Sequence, residues 1–261
     1  MIYVRQGDAE PKVCLIQLLL NTRGDSGPLV VDGHFGPKTR QAVVKFQRKQ
    51  HLPASGIVEK MTWAKLSAGS QFGVIDALDF SDAVVPRSGG PHKSKIFDTS
   101  TAALEDLTAA GAEPIVIGAM SRAGGQILAT ILQQSVRYRG VVLMRFFGHG
   151  SPGVMHVTGE DPISLEGFAK IAPNLARLTP RFARFGSVEM HGCQVARGGK
   201  GKLLLQRLAA LWGVPVTAAE GTQYDSGSMK EAVRFEGRTF TAFPRSGNLR
   251  SWAAQFGGMC I

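Results

Sequence analysis

Cysteine is scarce in this sequence. Cys14, Cys193 and Cys260 are the three in 261 residues, and they stand far apart. An odd count at such spacing argues against a disulfide framework and offers no CxxC metal pattern. Long hydrophobic runs are missing as well. No stretch approaches the ~18 apolar residues that span a bilayer, and the opening "MIYVRQGDAEPK" has no apolar segment of the secretory-signal kind. On this ground alone the cytoplasm and export without a cleaved signal both stay open. Acidic residues are few, 20 against 30 Lys and Arg, which leaves a formal net charge of +10. Such a surplus attracts polyanions: nucleic acid, anionic lipid or an anionic wall polymer. The cations are scattered, however, with no basic arm and no interleaved aromatics, so nucleic acid is the disfavoured partner.

What is present divides into two units. "PKVCLIQLLLN" carries apolar residues at near-helical spacing, with Pro11 suited to a first turn. Cys14 lies among these apolar residues and reads as a small core side chain. In "VVDGHFGPKTRQAVVKFQRKQ" the Asp32-Gly33 pair marks a turn. Gly36-Pro37 then opens a helix with Val43 and Phe46 on its inner face. "LPASGIVEKMTWAKL" repeats the plan with a shorter helix that buries Trp63 and Leu66. The stretch from Asp32 to Leu66 resembles the common peptidoglycan-binding module, a three-helix fold. Its pattern is met by Asp32, Gly33, Phe35, Gly36, Thr39, Ala42, Val43, Phe46, Gln47, Leu52, Gly56, Thr62 and Leu66. The resemblance implies binding to peptidoglycan, through wall glycan or stem peptide, and with it a place at the cell envelope reached without a visible signal peptide; the basic charge adds an anionic wall polymer as a partner. One departure is the long connection "NTRGDSGPLVV" before Asp32.

"SAGSQFG" at 67–73 is small and polar, the composition of a boundary. Beyond it the pattern alternates. "FGVIDAL", "EPIVIGAM", "GVVLMRFF", "FGSVEM" and "VPVTAAE" read as strands. "STAALEDLTAAG", "GGQILATILQQSVRY", "SLEGFAKIAPNLARL" (broken by Pro173) and "GKLLLQRLAALWG" read as helices. That order predicts a mostly parallel sheet flanked by helices. "AVRFEGRTFTAF" reads as a hairpin turning at Glu236-Gly237. Ligand sites in such sheets lie at the carboxyl ends of the strands, where "FFGHG" and "EMHGC" both fall.

His149-Gly150 follows one strand and Cys193 another, 44 positions later. Imidazole beside a thiol can take its proton or hold the thiolate as an ion pair, which is the chemistry of nucleophilic catalysis. The same residues admit blander readings: a strand-end Cys packs as a small hydrophobe, and His-Gly is a common turn. His191 is ambiguous, either a support for the loop or the base itself. His156 in "VMHVTG" reads as a strand or hairpin residue. Metal ligation by His149, His191 and Cys193 lacks a short-spacing ligand pair. Arg197, Lys200 and Lys202 favour thiolate if they point inward, and Gly150 and Gly192 leave room for substrate backbone.

"HGSPG" together with "HGCQVARGGKGKLLLQRLAALWGVPVTAAE" resembles a caspase-like family found near the start of large bacterial adhesins, within the wider clan of caspases, legumains and gingipains. The resemblance covers residues 140–220. It implies a cysteine endopeptidase with Cys193 as nucleophile and His149 as base, and an oxyanion site formed by the backbone N–H groups of Gly150 and Cys193. No cofactor is expected, and no metal. The loop "AEGTQYDSGS" is expected to border the specificity pocket, where Glu220 or Asp225 suits a basic residue before the scissile bond.

The expectation is a small all-α domain over residues 1–68, a linker at 69–73, and an α/β caspase-like domain over 74–261. Its function is that of a wall-targeted cysteine peptidase acting on a protein or peptide substrate. Two rivals stay open: a hydrolase of peptidoglycan stem peptides using the same dyad, and an inactive wall-docking or assembly scaffold.

Overall fold

The computed structural model describes residues 2–23, 27–79, 115–117, 124–157, 162–223, 233–259 and 261. Asp225, Cys260 and the helix expected around residues 100–111 lie outside these.

The N-terminal unit is built from α1 (Pro11–Arg23), α2 (Pro37–Lys49) and α3 (Lys60–Ser67). Gly36 caps α2 and Pro37 occupies its first turn, as the missing proline N–H permits. Thr39, Ala42, Val43, Phe46 and Gln47 form the buried stripe of α2. Leu66 of α3 is fully buried, while Trp63 is only partly so. α1 differs in kind, because every residue from Pro11 to Leu20 is buried. A helix covered on all sides needs more neighbours than two short helices supply.

The further neighbour is the sheet. β1 (Phe72–Asp79), β2 (Ile115–Ile117), β3 (Gly140–Phe147), β7 (Phe182–His191), β8 (Val216–Ala219) and β9 (Thr239–Ala242) form a sheet of order β2-β1-β3-β7-β8-β9. All neighbours are parallel except the antiparallel β8–β9 pair. One face carries Ile75, Met144, Phe146, Val188, Met190 and Val216. It is covered by α4 (Gly124–Ser135), α5 (Phe168–Leu175) and α6 (Gly198–Trp212). The other face is covered by α1 and, from the far end of the chain, by α7 (Leu249–Ala253). One apolar cluster there joins Val13, Leu15 and Leu18 to Leu143, Phe185, Trp252 and Phe256. The N-terminal unit is thus a layer of the α/β sandwich.

Local differences from the sequence reading have physical causes. β1 begins at Phe72, so the strand takes in the last two residues of the expected 69–73 linker. Phe72 stacks edge-on against Phe185, which draws it into the sheet. α5 runs through Pro173 to Leu175 before tightening into a 3-10 turn over Ala176–Arg181. The hairpin at Glu236-Gly237 does not form, since Val233–Phe235 are not strand and β9 pairs with β8 instead.

After β3 a small antiparallel sheet of β4 (Gly150–Ser151), β5 (Val154–Met155) and β6 (Ile163–Ser164) rises at the carboxyl edge. His156 follows β5 directly, in the hairpin region expected for it.

Candidate active site

β3 and β7 run side by side in parallel, with Phe147 opposite His191. The Gly148 N–H donates to the His191 carbonyl at 3.4 Å. Each chain then continues two residues past that pair, one to His149 and the other to Cys193, so the sheet carries both to the same level of its edge. His149 is exposed and Cys193 half-buried. Gly150 and Gly192 allow the two loops to touch. A Cβ on Gly150 would lie 2.7 Å from the Cys193 carbonyl oxygen, and one on Gly192 would lie 3.2 Å from the Gly148 carbonyl oxygen and 2.7 Å from Met155 Sδ. The space expected for substrate backbone at these glycines is filled by the protein's own loops.

The His156 N–H donates to the His149 carbonyl at 2.9 Å. Antiparallel pairs alternate, so the neighbouring Gly150–Met155 pair is the open kind, and the Gly150 N–H points away from β5. Cys193 Sγ lies against the backbone of Gln223, whose N–H points at it from 3.4 Å. Gln194, the next residue, holds a left-handed φ of 58°. That costly conformation is fixed by its N–H on the Gly221 carbonyl at 2.8 Å and by the Ala196 N–H on the Ala219 carbonyl at 2.9 Å. The Cys193 turn is therefore stitched to the exit of β8.

His191 is enclosed. Its ring stacks between Phe147, with centroids 4.6 Å apart, and Phe235, at 4.1 Å and 2°. Nε2 lies 3.0 Å from Glu189 Oε2, and a carboxylate can only accept, so Nε2–H donates. Burial holds the imidazole below its ordinary pKa against the pull of Glu189. This arrangement suits a support for the loop.

Glu189 uses its second oxygen on Lys12 of α1, 2.9 Å away. Lys12 also lies 3.3 Å from Glu10. Burial works to raise the Glu189 pKa, yet Lys12, His191 and Arg145 together hold it below the carboxylate range. Burial likewise works to lower that of Lys12, and the two carboxylates outweigh it. One strand over, Arg145 grips Asp76 through Nε at 2.6 Å and Nη2 at 2.8 Å. Asp76, Arg145, Glu189, Thr217 and Thr241 are successive register partners, one polar row across five strands. The row was not among the residues expected at the site. Its signal was a charged residue in the middle of three buried strands, in "GVIDAL", "VVLMRFF" and "SVEMH".

The cations expected to favour thiolate are engaged elsewhere. Lys200 pairs with Glu166 at 2.8 Å, Lys202 with Glu220 at 3.0 Å, and Arg197 Nη1 donates to Gln194. Glu220, offered as a specificity acid, has that lysine as its partner at the end of β8. Arg197 stands at the N-cap position of α6 without a side-chain cap, and Gly198–Lys200 after it form an exposed first turn.

The wall-binding signature residues act mainly as scaffold. Asp32 Oδ1 accepts from the His34 N–H and from Gln17 Nε2. Gly33, at φ +75°, faces Cys14 and Leu249 so closely that a Cβ would lie 2.6 Å from Leu249 Cδ1. Phe35 and Phe46 are core. Gln47 accepts from the Gly56 N–H and donates to the Ile57 carbonyl and Thr62 Oγ1. Cys14 is fully buried, and burial pushes its thiol up to about 12.

The fold is a three-helix unit packed on an α/β domain with a mostly parallel sheet. Residues 9–66 match the family of peptidoglycan binding domains. Residues 96–230, just over half of the chain, match the family described as a domain of unknown function (DUF4347), and the chain belongs to that family. It is also similar to an "Uncharacterized protein in bpoA1 3'region" of Kitasatospora aureofaciens, 46% identical over 69 residues. That match covers 26% of this chain and 58% of the length of that protein. Among the described residues no helix is long and apolar enough to cross a membrane.

Proposed function

We propose that the chain is a wall-targeted cysteine peptidase of caspase-like type, with Cys193 as nucleophile and His149 as base. The observation that carries this reading is the shared level of the two residues at the carboxyl edge of adjacent parallel strands. In the reaction, His149 takes the Cys193 proton and the thiolate attacks the scissile carbonyl carbon. The oxyanion gathers the N–H groups of Gly150 and Cys193. Collapse breaks the C–N bond, and the amine leaves with the proton from His149. Water, deprotonated by the same imidazole, then splits the thioester and frees Cys193. His191, buried and bonded to Glu189, serves as support for the loop.

The peptidoglycan-binding domain supports a wall polymer as partner and location. It also favours a second reading, in which the same dyad cuts stem peptides of the wall itself. Peptide-library profiling and muropeptide release from purified sacculi separate the two. Cys193→Ala and His149→Ala are each expected to lower turnover by on the order of a thousandfold or more, since members of a catalytic unit fail together. His191→Ala is expected to cost much less. Cleavage in neither assay, or cleavage that survives Cys193→Ala, sinks the enzyme reading and leaves a docking scaffold.

A further inference from the structure

Three residues near the chain end connect the N-terminal unit to the thiol. Arg234 pairs with Asp8 of the N-terminal unit at 2.9 Å, and its guanidinium lies over the Tyr3 ring at 5.6 Å. Phe235 stacks flat on His191, which Lys12 of the same unit reaches through Glu189. Glu236 is held by the Gln223 side chain through both backbone groups. Gln223 Oε1 accepts from its N–H at 3.0 Å, and Nε2 donates to its carbonyl at 3.1 Å. The backbone of that same Gln223 lies against Cys193 Sγ. The strap Arg234–Phe235–Glu236 is thus tied to the N-terminal unit directly through Asp8 and indirectly through His191, and at its other end it holds the glutamine that borders the sulfur.

We propose that the peptidoglycan-binding unit is a working part of the thiol site. By gripping the strap through Asp8 and the Lys12–Glu189–His191 chain, it fixes Gln223 over Cys193. Asp8 and Phe235 are then positioning residues, acting on the thiol through the strap, and Gln223 is the residue they set against it. The inference deepens the reading of Cys193 as the reactive group and rests on it. Its consequence is that whatever loads or strains the unit on the wall acts on access to the sulfur, so anchor and site are mechanically one.

Alkylation of the full-length chain with a maleimide tests this, with the rates at Cys193 and Cys14 followed by mass spectrometry. Cys14, buried in the core, reports global unfolding. Asp8→Asn keeps an oxygen for the Arg5 N–H, which bonds Asp8 Oδ2 at 2.8 Å, and turns an NH2 group toward Arg234, so that both the charge and the acceptor facing the guanidinium are lost. It is expected to raise the Cys193 rate about tenfold, the scale of a lost charge-assisted hydrogen bond, with Cys14 still protected. Phe235→Ala is expected to do at least as much, and Asp8→Glu to keep the wild-type rate. Unchanged Cys193 rates in Asp8→Asn and Phe235→Ala overturn the proposal. So does labelling of Cys14 in step with Cys193, which makes the effect global. Should Asp8→Asn not fold, Phe235→Ala decides alone. A wild-type Cys193 that does not react at all sinks the peptidase reading; equal rates across variants with a reactive wild type sink only the grip.

Discussion

His149 follows β3 and His191 ends β7, yet their surroundings set them to different tasks. His149 sits exposed beyond β3, where a substrate can reach it. His191 lies between two phenylalanine rings and on a buried carboxylate. Its depressed pKa makes stability depend on pH with a definite sign. As pH falls below about 6.5 the unfolded imidazole binds a proton that the folded one resists, so this group's contribution is complete above that value and is lost on acidification. Glu10, pushed up to about 6 by burial, works in the opposite sense over the same window. Comparing His191→Gln with wild type therefore isolates the histidine. Urea melts at a series of pH values should show a flatter loss of stability below pH ~6.5 in the variant; equal slopes would mean that His191 is not held neutral. The core role of Cys14 was readable from its apolar neighbours alone. The division between the two histidines was not. It depends on Phe235 and on Lys12, which reach His191 from 44 residues downstream and from the opposite end of the chain.

Among the elements, α1 carries most of the unexpected structure. β3 and α6 form where apolar runs and a closing glycine predict them, with Gly213 taking φ +70° at the end of α6. These are local signals, and local signals are what a sequence prints. The burial of α1 on every side was also printed, in "PKVCLIQLLL", but its meaning needs the sheet to be in view. Lys12 is the polar cost of that packing. Lys12→Met leaves Glu189 in the interior without its cation, and Arg145 is already committed to Asp76. The loss expected from denaturant unfolding is about 3–5 kcal/mol, typical of half a buried pair. The double variant Lys12→Met/Glu189→Gln should recover a large part of it, because neither group is then left charged and alone. A double variant as unstable as the single one would show that Lys12 matters through packing of its stem.

For the whole molecule, the two families meet in one body. Composition suggests a boundary near residues 67–73; α3 ends at Ser67 and β1 begins at Phe72. The way the units join was invisible, since the cluster uniting α1, β3, β7 and α7 draws on residues more than two hundred positions apart. The basic surplus of +10 suits an anionic wall, and the peptidoglycan-binding domain supports the same address. The proposed function turns on Cys193. The most direct measurement is mass-spectrometric mapping of partial alkylation on the native chain across a pH series, in wild type and in His149→Ala. The account predicts that Cys193 is modified well before Cys14 and Cys260 from mildly acidic pH upward, and that His149→Ala slows its labelling while the chain stays folded. Modification of Cys193 no faster than Cys260 at every pH, or only after denaturation, would contradict a Cys–His dyad and return the thiol to the rank of a packed core residue.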